Sequence, residues 1–430
     1  MKRIISSIII LSLLLTFASC SPVSRNLTDE YLNDKNPTDV AEDVKEKDPK
    51  PVVSETVKGT AETPEEALME FGSELFRKTY ETDKNTLISP VSVSIALAMT
   101  AGGSGGTTLN QFEALLGRGV PMSDMNSFYK ALSERLDESE NNDVNVANSV
   151  WIRDNKDMIT VKKSFLEFCD SYFDADVFLS PFNKSTLRDI NNWVKDETEG
   201  MIKKVIEEID PLTVMYLINA LSFEADWKSK YTDTNEYFRF TNKDGETVQT
   251  TGLVSTESKY LEDENTTGFI KPYIGDEYSF ALLLPKEDTD IDSYVSSLTG
   301  DKLQALLTNA ENTSVDTVMP KFTFEYDKSL KEVLTELMLI DAFDPAVSDL
   351  SKIGTSSVGN LYVSEVIHKT FIEVAEKGTK AAAVTVVNVK AESAMEIIDS
   401  KKVIANRPFV FMIIENESNA PLFMGTVLNV

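Results

Sequence analysis

The stretch Glu373-Val-Ala-Glu-Lys-Gly-Thr-Lys-Ala-Ala-Ala-Val-Thr-Val-Val-Asn-Val-Lys-Ala-Glu-Ser393 decides how the chain is read. After Gly378 it alternates by twos. Thr379, Ala381, Ala383, Thr385, Val387, Val389 and Ala391 share one face, and each is small or moderately apolar. The other face carries Lys380, Asn388, Lys390 and Glu392, with Ala382, Val384 and Val386 between them. Period-two alternation with β-branched residues marks a strand with one buried face. The alanines stand where a strand favours Val or Ile. Small side chains cost little in water and little between close neighbours, so this segment suits two locations, one exposed and one buried.

The surrounding chain has 430 residues, 42% hydrophobic and 26% charged, a globular composition. Its net charge of −28, with no basic cluster, makes nucleic acid and anionic surfaces poor partners. Residues 1–20 read as a targeting segment: Lys2 and Arg3, an apolar run from Ile4 to Phe17, then Ala18-Ser19-Cys20. Small residues directly before a cysteine resemble the lipobox of bacterial lipoproteins, which implies a lipid on Cys20 and attachment to a membrane through it. The apolar run is shorter than the ~20 residues a spanning helix needs. Residues 21–63, with four prolines and no sustained apolar periodicity, read as a disordered tether. Cys169, four residues after Phe165 on a helical face, reads as a small buried hydrophobe with no disulfide partner.

Order is expected from Pro64 to the C-terminus. Leu68, Phe71 and Leu75 predict an amphipathic helix over 64–80. Asn85–Ile88 predicts a short strand, and Ser89-Pro90 a cap and first turn for a helix through Ala101. Gly102–Gly106 reads as a flexible connector, and Thr108–Gln111 as a capping box for the next helix. Leu212–Phe223 is an apolar strand interrupted by Asn219, and strands dominate from there to the end. Helices early and strands late, without βαβ alternation, predict an α+β fold with large mixed sheets.

Catalytic chemistry has little to work with. His368 is the single histidine, so a multi-histidine zinc site is excluded. A Ser-His-Asp triad would have to use it as base, yet it sits in a strand-like run with no nucleophile motif nearby, and Gly-x-Ser-x-Gly is absent. A structural histidine is expected. The acidic run Ser133–Glu140 reads as a solvated helix face and loop. No cofactor or metal is implied.

Glu376-Lys377-Gly378-Thr379-Lys380-Ala381-Ala382-Ala383 resembles the hinge of the serpin reactive-centre loop. Further serpin-like stretches stand in order: Asn85–Ser92, Asn219–Trp227, Val318–Phe322, Ala405–Phe411 and Pro421–Gly425. The resemblance spans 64–430. It implies the serpin fold, with three β-sheets, about eight or nine helices and an exposed reactive-centre loop. It also implies a monomer that is not an enzyme but a suicide-substrate inhibitor of serine proteases, of a bacterial, secreted or lipoprotein type. Ser89, Ser92, Asn219 and His368 take the places of the shutter network, where the central sheet opens, and Trp227 that of the breach. Each of the four shutter residues is polar in an apolar run, where burial without a partner costs roughly 1–3 kcal/mol.

The hinge residues are Glu376, Gly378, Thr379, Ala381, Ala382, Ala383 and Thr385; the inward face, Thr379, Ala381, Ala383 and Thr385, is free of the proline and bulky, charged residues that mark non-inhibitory relatives, the alternative being a binding or chaperone-like serpin. Counting from Gly378 by the family spacing puts the scissile bond at Glu392-Ser393, which suits glutamyl-specific or subtilisin-like proteases. Ala391 would suit elastase-like enzymes and Lys390 trypsin-like ones, with Ala394 and Met395 as further candidates. The acidic Ser133–Asp143 region offers no site for heparin-type activation.

Overall fold

The computed structural model describes residues 24–33, 40–41, 60–139, 141–154, 159–211, 213–357, 359–379 and 400–430. Among them are ten α-helices and three sheets, an α+β architecture. The seven-stranded sheet runs Arg25–Asn26, Asp176–Ser180, Asp143–Arg153, Met215–Asp226, Gly378–Thr379, Glu365–Val374, Phe322–Ser329. A nine-stranded sheet is built from the later strands, with Thr86–Ile88 at one edge and Lys401–Ile404 at the other. A three-stranded sheet joins Gly354–Ser356, Ile159–Lys162 and Val40–Ala41.

The helix Pro64–Thr79 starts where expected: Thr63 accepts from the Glu66 N–H, and Leu68, Phe71 and Leu75 are buried. The helix Pro90–Gly102 has no polar face, because residues 90–101 are all buried; it packs against both large sheets. Its cap is the Ser89 hydroxyl, accepting from the Ser92 N–H. In Glu365–Val374 burial alternates, so Val366, His368, Thr370, Ile372 and Val374 point inward.

Several expectations change. Gly102–Gly106 is a packed elbow, not a flexible connector: a β-carbon on Gly103 would lie 2.2 Å from Ile353, and Ser104 is buried. The Thr108–Gln111 capping box does not form, since that helix begins at Gly106. Thr108 instead accepts from the Asp349 N–H, and Gln111 accepts from the N–H groups of Ile340 and Asp341. The consecutive strands Glu311–Pro320 and Phe322–Ser329, parted only by Lys321, belong to different sheets.

Order also begins before Pro64. Arg25 and Asn26 pair with Leu179 and Phe178, the Leu27–Asn33 helix follows, and Leu27 and Thr28 are buried. The Asn26 amide donates to Asp176, and the Ser24 hydroxyl to Asp189. Backbone pairing, a few side-chain hydrogen bonds and one buried leucine hold this segment, a signal diluted in the composition of the surrounding residues.

Candidate functional site

The seven-stranded sheet has a seam at its centre. Met215–Asp226 and Glu365–Val374 pair directly, in parallel, over Tyr216–Ile218 with Glu365–Ile367. At the other end Gly378–Thr379 enters between them, Gly378 opposite Asp226, Thr379 opposite Ala225 on one side and Val374 on the other, antiparallel to both. A strand continuing from Thr379 would therefore run down the seam with a hydrogen-bonding neighbour on each side. Gly378 is required at the entrance, because a β-carbon there would lie 2.0 Å from the Ala225 carbonyl oxygen. Thr379 is buried, its hydroxyl 2.5 Å from that of Tyr273. A large or charged side chain has no place at this position.

The entrance is held from one side by Trp227. Its backbone N–H donates to the Lys377 carbonyl (2.7 Å) and its indole N–H to the Ala375 carbonyl (2.8 Å). Its ring stacks on Tyr273, centroids 4.4 Å apart. The Tyr231 N–H donates to the Glu376 carbonyl at 2.9 Å. The Glu376 carboxylate faces the Lys321 ammonium at 3.0 Å. Burial raises that carboxyl's pKa, but hydrogen bonds from its own backbone and from Lys321 outweigh it and hold Glu376 below the usual carboxylate range.

His368 closes the middle of the site. It is fully buried, and burial pushes its pKa down to about 4. Its Nε2 accepts from the Ser89 backbone N–H at 3.2 Å, which leaves the neutral ring's proton on Nδ1. The bond to His368 thus comes from the Ser89 backbone, while the Ser89 hydroxyl caps the helix it precedes. Ser89, Ser92 and His368 are all buried where Thr86–Ile88 and its following helix meet the sheet. Thr370, two residues on, donates its hydroxyl to the Leu87 carbonyl at 2.9 Å. The Asn219 backbone pairs with Asn148; its side chain lies outside the described residues.

Also outside them lie Cys20 and residues 380–399, which include Ala381, Ala382, Ala383, Thr385, Lys390, Ala391, Glu392, Ser393, Ala394 and Met395. Cys169 is buried, its thiol pushed up by burial. Sequence reading missed Thr370, Tyr231, Tyr273 and Lys321. Thr370 carries the same signal as His368, a polar group in an inward register; the other three act through contacts distant in sequence.

Residues 66–430 match the family model Serpin (serine protease inhibitor). Human Serpin B8 is 33% identical over 374 residues, covering 83% of this chain and 96% of that protein. An uncharacterized serpin-like protein of Thermococcus kodakarensis is 29% identical over 403 residues, covering 91% of this chain and 89% of the relative. Among solved structures, the thermophilic serpin tengpin in its native state superposes with a TM-score of 0.83 at 40% identity, covering 95% of this chain and all of the other. The same protein in its latent state superposes at 0.76 and 41% identity, over 87% of this chain and 100% of that one. The chain belongs to the serpin family.

Proposed function

We propose that this serpin inhibits a serine protease as a suicide substrate. The observation that carries the reading is the seam: two strands paired at one end and parted at the other by the hinge residues Gly378 and Thr379. The protease serine attacks the carbonyl carbon of Glu392, the Glu392–Ser393 C–N bond breaks, and the Ser393 amine leaves with a proton. The serine oxygen is then held in an ester to Glu392. The freed loop extends the strand begun at Gly378–Thr379, carrying the acylated protease with it, and distortion of the protease blocks hydrolysis. Loop insertion is the switching mode known for serpins. Tengpin's solution in both native and latent states supports a fold with two accessible arrangements.

The test is to mix the full chain with a panel of elastase-, subtilisin-, glutamyl- and trypsin-like proteases. A covalent band that survives boiling in detergent is expected, with mass spectrometry of the released C-terminal peptide beginning at Ser393. Cleaved serpin without a covalent band, across the panel, would overturn inhibition in favour of a binding or chaperone-like role. We also propose that the leader and a lipid on Cys20 place the protein outside the cytoplasm, at a bacterial cell envelope. Cys20→Ala should then release it from the membrane fraction.

A further inference from the structure

We propose that the buried Lys271–Glu257 ion pair is a positioning element for the loop hinge. Lys271 lies in the strand Thr266–Pro272 and Glu257 in its neighbour Thr247–Glu262, with Nζ 2.6 Å from Oε1 and side chains only 1% and 6% exposed. The Ser255 hydroxyl donates to the same carboxylate oxygen at 2.6 Å and is 2.9 Å from the Thr317 hydroxyl. Removing two charges from water is costly, and an apolar pair of the same volume often serves stability as well or better. What the apolar pair would lack is the ammonium's second contact. Nζ lies 4.2 Å from the centroid of the Tyr231 ring and 5.7 Å from that of Trp227.

Those two residues hold the turn that precedes the hinge, through bonds to the carbonyls of Ala375, Glu376 and Lys377. A cation attracted to ring faces fixes where the rings sit. Glu257, tied by Ser255, fixes where the cation sits. The contacts are therefore continuous from the nine-stranded sheet to the entrance of the seam. Burial lowers the Lys271 pKa and the neighbouring carboxylate works against that, consistent with an ammonium that depends on its partner. The functional consequence rests on the loop-insertion reading; the positional one does not.

The experiment is hydrogen–deuterium exchange on the full chain, following the Trp227 and Tyr231 amides. In K271M these amides should exchange roughly tenfold faster, the loss of a desolvated cation–π contact. Amides of the Phe409–Glu415 strand should be unchanged. E257Q, which keeps the shape and removes the anchor, should act in the same direction, and K271R should restore slow exchange. Unchanged Trp227 and Tyr231 amides in both K271M and E257Q would overturn the proposal. So would K271M/E257Q exchanging as slowly as wild type, because packing alone would then suffice. A uniform rise across the molecule would overturn it as well. Covalent-complex formation by the wild-type chain is scored separately, so failure of the inhibitory reading is distinguishable from failure of this one.

Discussion

His368 titrates in a direction that follows from its surroundings. Its folded pKa of about 4 lies below the ordinary value of 6.5. As pH falls between those values the unfolded chain takes up a proton and the folded chain does not. Stability is therefore present above 6.5, declines through the interval and levels off below 4, a loss of about 3 kcal/mol. His368→Gln, an acceptor that does not titrate, should lack this component. Guanidinium midpoints at several pH values would show it, and parallel curves for variant and wild type would refute it. The Lys321–Glu376 pair is different in kind. Its side chains are 40% and 25% exposed, so Lys321→Ala should cost less than about 1 kcal/mol in global unfolding. Its effect should appear in exchange at the Glu376–Gly378 turn.

The hinge element acts by steric fit. Thr379→Arg places a long cation where a threonine is sealed against Tyr273. On the proposed mechanism it should leave a substrate without inhibition: on a gel, cleavage persists and the covalent band expected of the wild type is absent. Gly378→Ala should act in the same direction, since the nearest obstacle is backbone rather than a movable side chain. Of the small hinge residues read from the sequence, Gly378 and Thr379 fall in the described residues, and both sit where only a small side chain fits; Ala381, Ala383 and Thr385 lie outside them. The shutter was half legible. A histidine and serines in apolar runs announce buried polar groups, but which atom bonds which depends on Ser89 serving as a helix cap. The supports of the hinge were not legible. Lys271 and Glu257 are 14 residues apart, Lys321 is 55 residues from the hinge residue Glu376, and Lys271, Glu257 and Lys321 each look like an ordinary charge.

For the whole molecule, the proposed insertion would add a strand with partners on both sides, so cleavage should raise the thermal unfolding midpoint. Calorimetry before and after limited proteolysis checks this; a midpoint that stays or falls would contradict it. At the edge of the same sheet, Leu27→Ala should destabilise the native form by about 2 kcal/mol, detectable as a shift in the denaturant midpoint. That edge shows where composition fails as a guide: main-chain pairing, side-chain bonds from Ser24 and Asn26 and one buried leucine hold a segment that reads as polar tether. The seam has one more consequence. The Glu365–Ile367 pairs close its base and Gly378–Thr379 open its entrance, so on the proposed insertion the incoming strand belongs to the same chain as the sheet that receives it. If insertion runs as proposed, the working form would be perishable as well as single-use. Its supply is set by synthesis against a spontaneous clock, and a stored sample should lose capacity on warming while its helices and sheets still look intact.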